Sequence, residues 1–145
     1  MKPGKDYIGV GIGVAIIDEQ GRILLIKRSK AVRNEPCTWV IPGGEVEYGE
    51  TIFKAVVREA KEEVGVKVRV LDVLGVADQL MKKDKQHWIS TVVLCKIVSG
   101  ELKNMEPEKC EKIEWFYLHE VKKLKTGVMM KKNLDILKNK FPEKF

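Results

Sequence analysis

One segment constrains the fold of this chain more than any other: the stretch Thr51–Val64, fenced by Pro42-Gly43-Gly44 before it and Gly65 after it. At about 100° per residue, Phe53, Val57, Ala60 and Val64 fall on one stripe, which predicts a helix packed by that side. Gly65 follows as a helix-ending residue. Glu59, Glu62 and Glu63 stand at i, i+3 and i+4, so they share a face centred about 120° from the apolar stripe. Like charges so close weaken a helix unless something neutralises them. A solvated acidic face is the ordinary explanation. Yet Lys54 and Lys61 are poorly placed to neutralise the cluster, although Arg58 adjoins Glu59 and Glu62. Hard oxygen donors gathered this way suit Mg²⁺ or Mn²⁺, held by few carboxylates together with the oxygens of a phosphate. The glycines at 43 and 44 let the preceding loop approach that face, so a backbone carbonyl could join the metal shell.

The rest of the chain reads as strands around this helix. Tyr7–Ile17, Arg22–Lys27, Thr38–Ile41, Val66–Val76, Trp88–Ile97 and Ile113–Leu118 are strand-like, with polar loops at Ser29–Pro36 and Lys82–Gln86. Pro42-Gly43-Gly44 is read as the stop of the third strand. Val121–Lys125 and Val128–Lys140 have helical spacing, with Leu124, Val128, Leu134, Ile136 and Leu137 as the buried stripe. The order predicts an α/β domain, a mixed sheet between helices. Gly9, Gly11 and Gly13 alternate along the first strand and present one bare face to a backbone or ligand. They are not a dinucleotide fingerprint, because the third glycine is misplaced and no helix follows.

The chain has 145 residues, 44% hydrophobic and 33% charged, which suits a single soluble domain spanning residues 1–145. Apolar runs such as Val14–Ile17 are too short to span a bilayer, and Met1-Lys-Pro-Gly-Lys-Asp carries no signal-peptide core. Cys37, Cys95 and Cys110 are odd in number and unpaired in spacing, so reduced thiols in the cytoplasm are expected. Net charge is +6. Val121–Phe145 holds eight lysines against Asp135 and Glu143, which reads as a solvated helix rather than a nucleic-acid surface.

The segment Gly44–Val66 resembles the Nudix box, G-x5-E-x7-R-E-U-x-E-E-x-G-U, where U is bulky and aliphatic. Gly44, Glu50, Arg58-Glu59, Glu62-Glu63, Gly65 and Val66 meet it, and Ala60 at a U position is the one soft departure. The resemblance implies a Nudix-type α/β/α sandwich and metal-assisted hydrolysis of a nucleoside diphosphate-linked compound, with no covalent nucleophile. It assigns the metal to Glu59, Glu62, Glu63 and the Gly43 carbonyl. Members often add a downstream acid, here Glu111 first and Glu108 second. Arg58 would orient the glutamates, with Glu59 as an alternative base. Glu50 would brace the loop–helix junction, with Gly44 and Gly65 structural. Magnesium is the expected cofactor, manganese a substitute. The expected partner is a small nucleotide rather than a membrane or nucleic acid, and a homodimer is open because many relatives dimerise.

The substrate is less marked. The proline that ADP-ribose hydrolases commonly carry after the box is replaced by Leu80-Met-Lys-Lys, and the tyrosine of dinucleoside polyphosphate hydrolases is absent. A coenzyme A hydrolase pattern is met only in part. Gly9-Val-Gly-Ile-Gly13, His87-Trp-Ile, and Glu106-Pro-Glu-Lys-Cys-Glu111 with Trp115-Phe116 resemble the MutT-like branch. That branch converts nucleoside triphosphates to monophosphates plus pyrophosphate. Arg28 and Lys27 are placed to meet phosphates. Trp39, the Gly44 backbone and His87 are candidate substrate contacts, with core packing an equal reading for Trp39. His87 and His119 are read as structural or surface residues before catalysts.

Overall fold

The computed structural model describes residues 1–144. In chain order it contains β1 (Gly9–Ile16), β2 (Arg22–Arg28), β3 (Trp39–Val40), β4 (Gly43–Glu45), α1 (Ile52–Val64), β5 (Lys67–Met81), β6 (Gln86–Ser99), β7 (Cys110–Tyr117), α2 (Leu118–Val121) and α3 (Val128–Lys140). Asp18 builds the corner after β1. Its Oδ1 accepts from the N–H groups of Gln20 and Arg22 at 3.0 and 2.8 Å, and its Oδ2 accepts from Arg22 Nε at 2.8 Å. That corner passes the chain from one sheet to another. The first sheet has the order β4-β1-β6-β5, with β1 parallel to β6 and antiparallel to β4. The second, β3-β2-β7, is antiparallel.

Both faces of this strand layer are covered. Val14, Ile16 and Leu24 pack with Val56, Ala60 and Val64 of α1. Their neighbours Ala15, Ile23 and Leu25 pack with Val121 of α2 and Met130 and Leu137 of α3. Period-two alternation therefore assigns successive residues to two cores, and the architecture is the α/β/α sandwich, with its strands divided between two sheets. Cys95 lies in the first core, where burial pushes its thiol up to about 12 and leaves it a packing residue.

Several expectations shift. Pro42-Gly43-Gly44 does not end the strand region, because Gly43–Glu45 returns as β4 and pairs with β1. The fifth strand runs on to Met81, and only Leu118–Val121 of the short helical stretch is helical. The bare glycine face of β1 is capped where Trp88 lies over Gly9, a Cβ there standing 2.4 Å from its ring.

Helix α1 starts where expected, with Thr51 Oγ1 accepting from Lys54 N at 3.2 Å, and ends at Gly65, φ 75°. Its buried side is rotated, however. Ala55, Val56, Ala60 and Val64 are inside, Val57 is half-buried and Phe53 is 49% exposed. The rotation turns the helix toward Glu59 and Glu63 and takes both off the solvent face.

In α3, Met130, Asn133 and Leu137 form the buried line, while Val128 is 68% exposed. Leu137→Ala should cost about 2–5 kcal/mol in urea unfolding and Val128→Ala within about 0.5 kcal/mol. Equal costs would contradict this register.

Candidate active site

The close approach of β4 to α1 builds the site. Gly43 pairs with Gly13, and a Cβ at Gly43 would stand 2.3 Å from the Ile12 carbonyl oxygen. A Cβ at Gly44 would stand 2.3 Å from Glu59 Oε1. Glycine at both positions lets a backbone strand lie against the acidic face of the helix.

Arg58 organises that face. Its Nε donates to Glu50 Oε2 at 2.7 Å and its Nη2 to Glu50 Oε1 at 2.9 Å, a bidentate pair. Nη1 donates to Glu59 Oε1 at 2.9 Å and to Glu62 Oε2 at 3.2 Å, and Nη2 also reaches the Glu45 carbonyl at 2.9 Å. The guanidinium thus ties the loop before α1 to the helix. Its hydrogen bonds hold the Glu50 carboxyl down to about 2. Glu50 in turn raises Arg58 further above its already high ordinary value.

Glu59 and Glu63 are different. Burial raises both carboxyls, Glu63 with help from the charge of Glu59, and the two hydrogen-bond to each other. Gly43 meets Glu63 through its N–H, which donates to Oε2 at 3.2 Å. Glu62 stays exposed beside Arg58. Among the described residues no group of three His, Cys, Asp or Glu side chains is already closed into a metal-ligand set. The donors nonetheless suit a hard cation, since a divalent ion would favour the charged forms of two carboxyls that burial raises.

The downstream acids separate. Glu111 lies on β7, 3.9 Å from Lys27 Nζ, and the Glu108 carbonyl accepts from Ser29 Oγ at 2.9 Å. The charge of Glu106 adds least among the causes that raise Glu63, and its carboxylate lies 3.8 Å from Lys109 Nζ. Glu106 comes near Glu63 because Lys103 N and Met105 N donate to the carbonyls of Val64 and Glu63, at 3.0 and 3.2 Å, docking the loop on the end of α1. Sequence spacing misses this, because the docking is made by backbone groups.

A cavity of about 220 Å³ opens beside Gly43 and Glu63 and runs between β1 and α3. Gly13, Arg28, Val40 and Ile41 line it, with Arg28 Nε held on the Asn34 carbonyl at 2.9 Å. Trp39 packs beside the cavity wall in the core, edge-on to Phe116 at 4.9 Å, with Lys27 6.0 Å from its ring. His87 borders a separate opening under the N-terminal segment, its Nε2 3.5 Å from Asp78 Oδ1. His119 stacks on Tyr117 at 5.8 Å. The far end of the cavity holds a residue the sequence did not flag. Asn133 is 5% exposed, and its Oδ1 has no hydrogen-bond partner. One of two asparagines inside a lysine-rich helix carries no signal until that helix is packed. Gln79 and Ser90 add polar groups to the same wall.

Glu50→Gln tests the clamp. A carboxyl lowered from 4.5 to about 2 stabilises the fold fully above pH 4.5, and this contribution is lost as pH falls toward 2. The stability gap between wild type and Glu50→Gln should therefore close over that window. Manganese affinity of the variant, by calorimetry at neutral pH, should fall about 10–100-fold.

Comparison with known proteins agrees with this geometry. Residues 8–135 match the NUDIX domain family. An ADP-ribose pyrophosphatase of Methanocaldococcus jannaschii is 38% identical over 127 residues, covering 86% of this chain and 72% of that protein. The crystal structure of a MutT NUDIX hydrolase from Burkholderia pseudomallei is similar with a TM-score of 0.73 at 38% identity, covering 79% of this chain and 86% of that one. The MutT protein of Methanosarcina mazei Go1 shares the fold, with a TM-score of 0.76 at 22% identity over 92% of this chain and 93% of its own. Some relatives are much longer: an 8-oxo-dGDP phosphatase of Mus musculus is 32% identical over 69% of this chain, which spans 29% of that protein. Nudix hydrolases generally use divalent metal cations. With the box folded around Arg58 and these likenesses beside it, the chain belongs to the Nudix hydrolase family.

Proposed function

We propose that residues 1–145 form one catalytic domain that uses Mg²⁺ to hydrolyse a phosphoanhydride bond of a nucleoside triphosphate, releasing a nucleoside monophosphate and pyrophosphate. The observation that carries this reading is the cavity. It starts at Gly43 and Glu63 and ends at the buried Asn133 amide, whose Oδ1 has no hydrogen-bond partner. Phosphates at the first end and a base at the second would satisfy both.

Glu59, Glu62 and Glu63 are the proposed ligands, with Glu106 in place of Glu111. These residues would hold a divalent ion, which when bound would supply neutralisation of phosphate oxygens and a more acidic water. The residues of the chain do the rest. Arg58 keeps Glu59 and Glu62 oriented through its forked hydrogen bonds. Glu63 is held in place by the Gly43 N–H, and Glu59 is the alternative base that would take a proton from the attacking water. Arg28, fixed by the Asn34 carbonyl, faces the cavity where the phosphate chain would enter. Three free cysteines among the described residues suit a reducing compartment, the cytoplasm.

A second reading is ADP-ribose hydrolysis, favoured by the 38% identical relative named for that activity. Product analysis separates the two: AMP plus ribose 5-phosphate from ADP-ribose, or pyrophosphate from a triphosphate. Glu62→Gln and Glu63→Gln should each lower kcat about 10²–10⁴-fold with the circular dichroism spectrum unchanged. Full activity in both variants would sink the assignment. Asn133→Ala should raise KM for the preferred base about tenfold or more and leave other bases less affected.

A further inference from the structure

The cavity beside Glu63 is too small to be the whole substrate site. Small-ligand pockets ordinarily span about 300–1,000 Å³, and this one has about 220 Å³. It continues, past the shared residues Glu35, Gln79 and Met129, into an outer basin of about 710 Å³. The basin has two kinds of wall. Its apolar lining is made by Pro36, Leu80, Met81, Val128 and Met129. Its rim carries Arg33, Lys82, Lys83 and Lys132.

The charge on that rim is not balanced from within. Among the described residues Arg33, Lys82 and Lys83 make no ion pair. Lys132 is held at the rim by donating to the Asp78 carbonyl. Of the two acids in the lining, Glu35 is engaged elsewhere: its Oε1 accepts from Val128 N at 2.9 Å, at the start of α3. Asp84 alone is left to face four cations. Lys2 and Lys5 border an adjoining opening that shares Arg33, Asn34 and Asp84. A solvated lysine turn accounts for Lys82 and Lys83. It does not account for their placement, with an arginine from one loop and a lysine from α3, around an apolar lining joined to the catalytic cavity.

We propose that the outer basin binds a second phosphorylated group of the substrate, a ring carrying a phosphomonoester outside the bond that is cut. The ring would lie against the apolar lining and the phosphate would meet Arg33, Lys82 and Lys83. This rests on the metal-dependent anhydride hydrolysis proposed above but not on the triphosphate, and it favours nucleoside diphosphate-linked compounds phosphorylated at a distance from the scissile anhydride.

The test uses matched pairs that differ only in such a phosphate: NADPH with NADH, and coenzyme A with dephospho-coenzyme A. Hydrolysis of each is measured with Mg²⁺ for the full chain and for the triple variant Arg33→Gln, Lys82→Gln, Lys83→Gln, all exposed positions. Wild type should favour the phosphorylated member of a pair by about tenfold or more in kcat/KM, the scale of one charge-assisted hydrogen bond. That preference should shrink as salt rises. The triple variant should lose the preference and keep its rate on the unphosphorylated member. No preference in wild type, or a preference that survives in the variant, overturns the proposal. If no pair is turned over, equilibrium binding of the same compounds with Ca²⁺ reads the basin independently of chemistry: tighter binding of the phosphorylated members supports it, and equal binding overturns it. Loss of single-stranded oligonucleotide binding in the variant, with the pairs indistinguishable, would make the rim a nucleic-acid surface and also end the proposal.

Discussion

Everything at the catalytic end depends on a strand backbone lying against the carboxylate face of a helix. β4 sits between β1 and α1, with Gly43 against the Ile12 carbonyl and Gly44 against Glu59. A methyl group at Gly43 would force β4 off the β1 backbone, and one at Gly44 would displace the Glu59 carboxylate. With the helix in place, Arg58 can reach Glu50, Glu59, Glu62 and the Glu45 carbonyl at once. One guanidinium then holds together a loop, a strand and a helix. The acidic cluster that would weaken an isolated helix is kept because each carboxylate has a defined partner.

Much of this was legible before folding. The limits of α1, its Thr51 and Gly65 ends and its acidic face follow from local chemistry at short spacing. The direction in which the helix packs does not. An apolar stripe centred on Phe53 and Val57 is as good by periodicity as one centred on Val56 and Ala60. The choice is made by the two glycines, which allow approach on the side of Glu59 and Glu63. Likewise α3 was readable as a helix over Val128–Lys140. Its inward line of Met130, Asn133 and Leu137 was not, since a lysine-rich stretch offers more than one apolar face. Asn133 reaches the cavity through the packing of a helix far along the chain from Glu63. Pattern reading has no access to such contacts.

The wall opposite α1 is held by different means. Lys140 pairs with Asp72 at 2.7 Å and Glu35 caps the start of α3 from a loop 93 residues earlier. Glu35 and Cys37 both adopt positive φ, 49° and 61°, on either side of Pro36. Backbone strain is thus spent on bringing one carboxylate to a helix whose own N-terminal residue, Gly127, has no side chain to offer. The position of α3, and with it the shape of the cavity, is coupled to that loop.

The alternation of β1 and β2 between two cores has a consequence for descent with variation. Residues that set the chemistry hang from the α1 side, and residues that line the far end of the cavity hang from the α3 side. Because neighbouring positions on a strand look into opposite cores, a lineage can exchange the α3 wall piece by piece without disturbing the carboxylates. New substrates then require no new catalyst, only a different partition on the other face of the same strands.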